Sequence, residues 1–307
     1  MKVLNFGSLN LDYVYQVDHF VQPGETLSAA AQAVHPGGKG LNQSIALSRA
    51  GAKVFHAGCI GRGGEALGAL LRENGVDTAH LRPTDELQGN AVIQVAPTGE
   101  NCILLFGGSN QRVTAEQIET TLAAFSEGDY LVLQNEINGL PAIVDRAFEK
   151  GMRIVLNPSP CNEKLAAVDF GKLSWLLVNE VEAAQLSESA IPEEAWQALH
   201  AKYSKLSVLI TLGSAGSLAY RVKDGTVEAA CQPAFRVRAV DTTAAGDTYT
   251  GYFISGLMED LPLQEGMRRA SMASAISVTR PGASGSIPRK DEVEAALAEA
   301  AASDPNG

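Results

Sequence analysis

Apolar residues follow two alternating patterns along most of this chain. Short apolar runs at 3–7, 53–59, 130–134, 153–157, 173–178 and 209–212 have strand length and end at or near a Gly or Asn. Between them, residues with helical spacing occupy 114–126, 141–150, 263–279 and 291–302, and shorter helical stretches close at Gly51 and at Asn74-Gly75. Thr114 and Gln117 have the spacing of a capping box. Repeated strand-then-helix units predict an α/β fold, a mostly parallel sheet with helices on both faces. Other segments break that rhythm. Residues 90–96 and 101–106 alternate about Pro97-Thr98-Gly99-Glu100, which predicts a hairpin, and 25–34 is Ala-rich and extended. Further on, Phe235, Val237 and Ala239 alternate as a strand would, and Tyr252, Phe253, Ile254, Leu257 and Met258 recur at helical spacing. Ala244, Ala245 and Gly246 therefore fall where strand gives way to helix. Residues 303–307 read as a frayed end.

Composition narrows the class. A chain of 307 residues, 45% hydrophobic and 19% charged, suits one α/β domain over 1–307 with a small appendage. The net charge of -11 argues against nucleic acid as a partner, so a bound nucleotide must be met by local amides and a cation. No run of about 18 apolar residues could span a bilayer, and the N-terminus lacks a signal-peptide layout; a cytoplasmic protein is expected. Cys59, Cys102, Cys161 and Cys231 are far apart and are expected to be buried free thiols. The five histidines form no ligand-spaced cluster.

Three stretches carry candidate chemistry. At 240–251 small residues open a helix, whose free N–H groups form an anion site, and Asp247 lies in its first turn. In-line phosphoryl transfer to an alcohol needs such amides and a base near the attacking hydroxyl, although an Asp there also serves as an ordinary complement to the helix dipole. Asn10 and Asp12 face one way just past the first strand, where vicinal hydroxyls could be bound or an Asx turn formed. Gly37-Gly38-Lys39-Gly40-Leu41-Asn42-Gln43 is not a Walker A loop, because Ala33 and Gly40 stand where Gly and Ser or Thr are required. A rival reading comes from Gly61-Arg62-Gly63-Gly64-Glu65-Ala66, which fits the G-x-G-x-x-A pattern of a dinucleotide-binding oxidoreductase, but no acidic residue sits well at the expected distance.

Asp241-Thr242-Thr243-Ala244-Ala245-Gly246-Asp247 resembles the C-terminal motif of the ribokinase-like sugar kinases, the phosphofructokinase-B family. Asn10-x-Asp12, Gly37-Gly38-Lys39-Gly40-x-Asn42 and Asn179-x-x-Glu182 resemble further motifs of that family, in the same order. The resemblance implies a ribokinase-like fold with a small β-sheet lid at about 12–36 and 89–107. It implies transfer of the γ-phosphoryl of ATP to a small sugar, with D-ribose at O5 the expected acceptor; deoxyribose, fructose and nucleosides are taken by relatives on the same frame. Asp247 would be the base, with the backbone of Ala244, Ala245 and Gly246 as anion hole. Asn10, Asp12, Gly38, Lys39, Asn42, Ala91, Leu105 and Glu136 would border the sugar. Asn179, Thr211, Gly213, Ser214, Gly216 and Gly246 would border ATP. Asn179 and Glu182 would hold Mg²⁺ through water, and Asp241, Thr243, Ser277, Arg280, Gly282 and Ser286 would surround a monovalent cation, K⁺. The family also covers the apolar lid face, Ile93, Val95, Ile103 and Leu105, in a homodimer. Arg62-Gly63 departs from the family, which usually carries Asp after Gly61. A silent sugar-binding regulator would keep Asn10 and Asp12 but has no need of Asp247.

Overall fold

Strands that lie between two helical layers must be apolar on both sides, and the runs read from the sequence pair in that way. The computed structural model describes residues 1–303. Its strands are β1 (Val3–Phe6), β2 (Asn10–Gln16), β3 (Ala31–Gly37), β4 (Val54–Arg62), β5 (Asp77–Leu87), β6 (Asn90–Val95), β7 (Asn101–Phe106), β8 (Tyr130–Gln134), β9 (Arg153–Asn157), β10 (Trp175–Asn179), β11 (Ser207–Thr211), β12 (Ser217–Lys223) and β13 (Thr226–Gln232). Its α-helices are α1 (Lys39–Arg49), α2 (Glu65–Glu73), α3 (Ala115–Leu122), α4 (Leu140–Glu149), α5 (Glu180–Ser187), α6 (Pro192–Lys202), α7 (Ala245–Met258), α8 (Leu263–Val278) and α9 (Lys290–Ser303). The large sheet runs β13-β12-β11-β10-β9-β8-β1-β4-β5; it is parallel from β11 to β5, with an antiparallel hairpin, β12–β13, at one edge. Alternate residues of β1 feed two cores. Leu4 and Phe6 pack with α3, α4, α5 and α6, and Val3 packs with α1, α2, α7, α8 and α9. A separate sheet, β3-β2-β6-β7, forms the lid.

Four expectations need correction. Residues 235–239 are not a strand, since the ladder of β13 ends at Pro233, which has no N–H to donate, and the chain then leaves the sheet over α8. The extended segment expected at 25–34 pairs only from Ala31, as β3. Thr114 caps α3 by accepting from the Gln117 N–H, but the Gln117 side chain donates to Gly58 O at 2.8 Å and His80 O at 3.3 Å, so the box is half formed. Of the thiols, Cys59 is buried and pushed up to about 11 by burial, whereas Cys102 and Cys231 are exposed. Most of the tail expected at 303–307 lies outside the described residues.

The glycine-rich turn of the rival reading packs against protein. A Cβ on Gly61 would lie 2.7 Å from Glu86 O, and one on Gly64 would lie 2.0 Å from Gln88 Oε1. Those glycines let the end of β4 nest on the end of β5, with Gly61 N–H donating to Gln88 Oε1 at 2.9 Å. Their smallness serves packing.

Candidate active site

Three cavities lie along the carboxyl ends of the parallel strands, where open α/β sheets bind ligands. The first, of about 270 Å³, is lined by Asn10, Leu105, Asn110, Gln111, Glu136 and Asn162 among others. The second, of about 230 Å³, holds Lys39, Asn179, Glu182, Thr211, Ala244, Ala245, Gly246 and Asp247. The third, of about 160 Å³, shares Thr211, Ala245 and Gly246 with the second and adds Gly213, Gly216, Phe235 and Tyr249. Asn10, Glu136, Leu105, Lys39, Asp247, Asn179, Thr211, Gly213 and Gly216 are thus brought together, while Ser214 lies exposed beside the third cavity without lining it.

The polar end of the first cavity is assembled at the start of β2. Asn10 is buried, and its Oδ1 accepts from Asn110 Nδ2 at 2.7 Å, which turns its own NH₂ the other way. Asn110 also takes the Leu9 N–H at 3.0 Å, so one loop amide fixes both residues. Asp12 stands over Gly37, where a Cβ would lie 1.9 Å from its carboxylate; only glycine leaves room. Burial pushes the Asp12 carboxyl up to about 7, helped by the charges of Glu136 and Asp247. Ala91 is buried beside Asp12 in the β2–β6 register.

Helix α1 begins here without a side-chain cap of its own. Its N-cap, Gly38, has φ 93°, a left-handed value that favours glycine. Glu136 supplies the missing acceptor: it takes the Lys39 N–H at 3.1 Å and the Ser8 hydroxyl. Burial raises the Glu136 carboxyl, although Lys39 and Ser8 pull it down. For Lys39, burial pulls the ammonium down, but Asp247, Glu136 and Glu182 outweigh it and the net direction is up. Lys39 is a half-buried cation among carboxylates.

Asp247 occupies the first turn of α7, buried, with both oxygens held by amides of α1: Oδ2 accepts from Asn42 Nδ2 at 3.0 Å and Oδ1 from Gln43 Nε2 at 2.9 Å. The two helices meet closely because Gly251 faces Ala46; a Cβ on Gly251 would come 2.4 Å from that methyl. Asn42 Oδ1 is left as a buried acceptor with no protein donor. Ala244, the N-cap of α7, has φ 60°, a left-handed conformation that costs a non-glycine residue on the order of 1–2 kcal/mol. That strain is the mark of a loop shaped for something other than stability. The Ala245 N–H is not free, since it donates to Thr242 O at 3.2 Å; the helix-start amides open to an anion are those that follow.

At the second cavity the sequence hid a structural role. Asn179 and Glu182 form a full capping box on α5, with Glu182 N donating to Asn179 Oδ1 at 2.8 Å and Asn179 N to Glu182 Oε2 at 3.1 Å. The N-x-x-E spacing is therefore also that of a helix start. Asp241 ties two loops together, accepting from Thr243 N at 2.9 Å and Oγ1 at 2.6 Å and from Gly282 N at 2.8 Å. Burial pushes its carboxyl up, but those hydrogen bonds hold it below the usual range. Ser277 and Ser286 donate to Ser274 O and Ala283 O, and Arg280 turns away to Glu292 at 2.5 Å. Ser8, Gln43, Asn110 and Gln134 were missed by sequence reasoning. Each is an uncharged residue in a loop or core whose importance lies in contacts across the fold.

The chain belongs to the pfkB family of carbohydrate kinases, whose model matches residues 1–290. Within that family it is similar to ribokinases: it is 36% identical over 301 residues to the ribokinase of Haemophilus influenzae, covering 93% of this chain and 95% of that one. A crystal structure of ribokinase from Cryptococcus neoformans var. grubii serotype A in complex with ADP superposes with a TM-score of 0.85 at 33% identity, covering 96% and 99% of the two chains. Arabidopsis thaliana ribokinase complexed with ribose and ATP gives a TM-score of 0.81 at 26% identity, covering 96% and 98%. The protein is a carbohydrate kinase.

Proposed function

We propose that this kinase phosphorylates D-ribose at O5 with ATP. The observation that carries the reading is Asp247, pinned by two amides at the start of α7 and facing a cavity between one lined by amides and Glu136 and another bounded by glycine turns. The relatives whose names include ribose, ATP and ADP supply the substrate pair.

In this reading the sugar enters by the first cavity and reaches toward Asp247, its hydroxyls taken by the Asn10 NH₂ on that cavity's wall and, beyond the wall, by Asp12 and the unpartnered Asn42 Oδ1. The triphosphate crosses the second cavity and the adenosine enters the third. The sugar hydroxyl attacks the γ-phosphoryl, Asp247 takes its proton, and the first-turn amides at Gly246 and Asp247 meet the charge on the moving group. Lys39 offsets negative charge from the same cavity. Mg²⁺, when bound, would neutralise phosphate charge, with Glu182 and Asn179 holding its waters. Oxygen atoms of Asp241, Thr243, Ser277, Arg280, Gly282 and Ser286 would surround a monovalent cation such as K⁺; the bonds that join Asp241 to Thr243 and Gly282, and the pairing of the Arg280 side chain with Glu292, support that reading. A homodimer covers the lid.

An ADP-release assay over a panel of pentoses, hexoses and nucleosides tests the reading. D-Ribose is expected to give the highest kcat/KM, with ribose 5-phosphate as product. A higher value for deoxyribose, fructose or a nucleoside would reassign the substrate and leave the kinase class standing.

A further inference from the structure

The two amides on Asp247 differ in what stands behind them. Asn42 ends at Asp247, whereas Gln43 continues inward. Its Oε1 accepts from Gln134 Nε2 at 2.7 Å, and Gln134 Nε2 also donates to Asn5 Oδ1 at 2.9 Å. Asn5 Nδ2 in turn donates to Gly40 O at 2.9 Å and to Ser44 Oγ at 2.8 Å, and Ser44 Oγ meets His56 Nδ1 at 2.8 Å. Gln43, Gln134, Asn5, Ser44 and His56 are all fully buried, at 0% exposure. Burial drives the His56 imidazole down to about 3, so the chain ends in a neutral ring.

A primary amide has two unlike ends, and a carboxylate oxygen can only accept. Gln43 can therefore present its NH₂ to Asp247 only if its oxygen is met by a donor on the other side. Gln134 is that donor, and Asn5 fixes Gln134 in turn. A reversed Gln43 would set its oxygen against the carboxylate and its NH₂ against the NH₂ of Gln134. Polar groups in a dry core cost free energy unless they are paired, so a line of amides here calls for a reason beyond packing. Gln43 is fully buried with its NH₂ on Asp247 and its oxygen taken by Gln134, so its route to a substrate runs through Asp247.

We propose that Gln43, oriented by Gln134 and Asn5, is a positioning residue for the base: it fixes the rotation of the Asp247 carboxylate so that one oxygen stays aimed at the attacking hydroxyl. This rests on Asp247 being the base. It links that group on α7 to the central strands β1 and β8 through α1, so the rigid middle of the sheet sets the angle of a side chain at its rim.

The test is steady-state kinetics with D-ribose and MgATP on Gln43→Met, Gln134→Met, Asp247→Ala and Asp247→Ala/Gln43→Met, each checked for folding by thermal melting. Gln43→Met is expected to lower kcat by roughly 10- to 100-fold, the scale of a misaligned catalytic group, with both KM values within about threefold of wild type. Gln134→Met, which touches neither substrate nor Asp247, is expected to lose kcat in the same manner and supplies the test if Gln43→Met does not fold. In the Asp247→Ala background Gln43→Met should add nothing, because a group that acts only through Asp247 has nothing left to orient. An inactive Asp247→Ala beside a Gln43→Met of normal kcat would overturn the inference while leaving the base in place. An equal loss from Gln43→Met in both backgrounds would overturn it too. Wild-type turnover by Asp247→Ala would remove the base and the inference together.

Discussion

At the scale of single residues, the centre of this kinase is a set of mutually repelling carboxylates, Asp12, Glu136 and Asp247, with one half-buried cation, Lys39, held by the last two and Glu182. Asp247→Asn keeps the shape but removes the proposed base, and its own NH₂ faces one of the two amide donors, so only one of those bonds is kept unless that amide turns. Its kcat is expected to fall roughly 10²- to 10⁴-fold, with D-ribose affinity by calorimetry within a few-fold of wild type. Asp12 carries a pH signature. Its folded value, about 7, lies above its ordinary 3.8, so the folded chain retains a proton that the unfolded chain releases. That contribution to stability is full at low pH and is lost as pH rises through about 7. Sugar hydroxyls donating to the carboxylate favour the ionised form, which gives the opposite slope for binding. D-Ribose affinity should rise with pH and level off above about 7, with proton release on binding near neutrality, and Asp12→Asn should flatten the curve. Calorimetry in two buffers of different ionisation enthalpy reads both effects.

At the scale of elements, the site is a meeting of helix starts: α1, α5 and α7 all begin at the cavities. The contact of α1 with α7 holds Asp247, and it depends on the absence of one methyl group. Gly251→Ala would drive a Cβ into Ala46 and the Leu47 backbone, where overpacking costs about 1–3 kcal/mol. Thermal melting should show a lower Tm, and kcat should fall more than either KM as Asn42 and Gln43 are pushed from Asp247. The loops joined by Asp241 form a second such unit. If a monovalent cation orders them, K⁺ should raise kcat several-fold over Na⁺ or Li⁺ at constant ionic strength, and Asp241→Ala should be slow and indifferent to the salt. Equal wild-type rates in all three salts would refute a cation role.

For the whole molecule, the lid is the outstanding feature. Ile103, Leu104, Leu105 and Phe106 are all about half exposed or more, at 48–72%, a continuous apolar strand that a soluble surface rarely leaves open. Light scattering at assay concentration is expected to give twice 32.3 kDa. Leu105→Glu should shift that mass toward the monomer and raise the D-ribose KM, because Leu105 also lines the cavity proposed for the sugar. A wild-type mass of one chain would count against the dimer.

The sequence by itself determined the parallel β/α order, the hairpin of the lid, and the meeting of small residues and Asp247 at a helix start. Those features follow from local periodicity, from turn residues and from which side chains can approach backbone, all of which are written along the chain. It misplaced a strand at 235–239, where the same alternation arises on a segment that has no partner to pair with. It read Asn42 as a sugar ligand alone and passed over Gln43, Asn110 and Gln134. Their partners stand 91 and 204 residues away for Gln43, and 100 for Asn110 with Asn10, so no spacing signals them. The N-x-x-E run likewise carried two roles, and only the backbone at Asn179 revealed the capping box. Tertiary structure decided which polar groups are buried together, because the cost of an unpaired amide or carboxylate is imposed by the packed core and is absent from the extended chain.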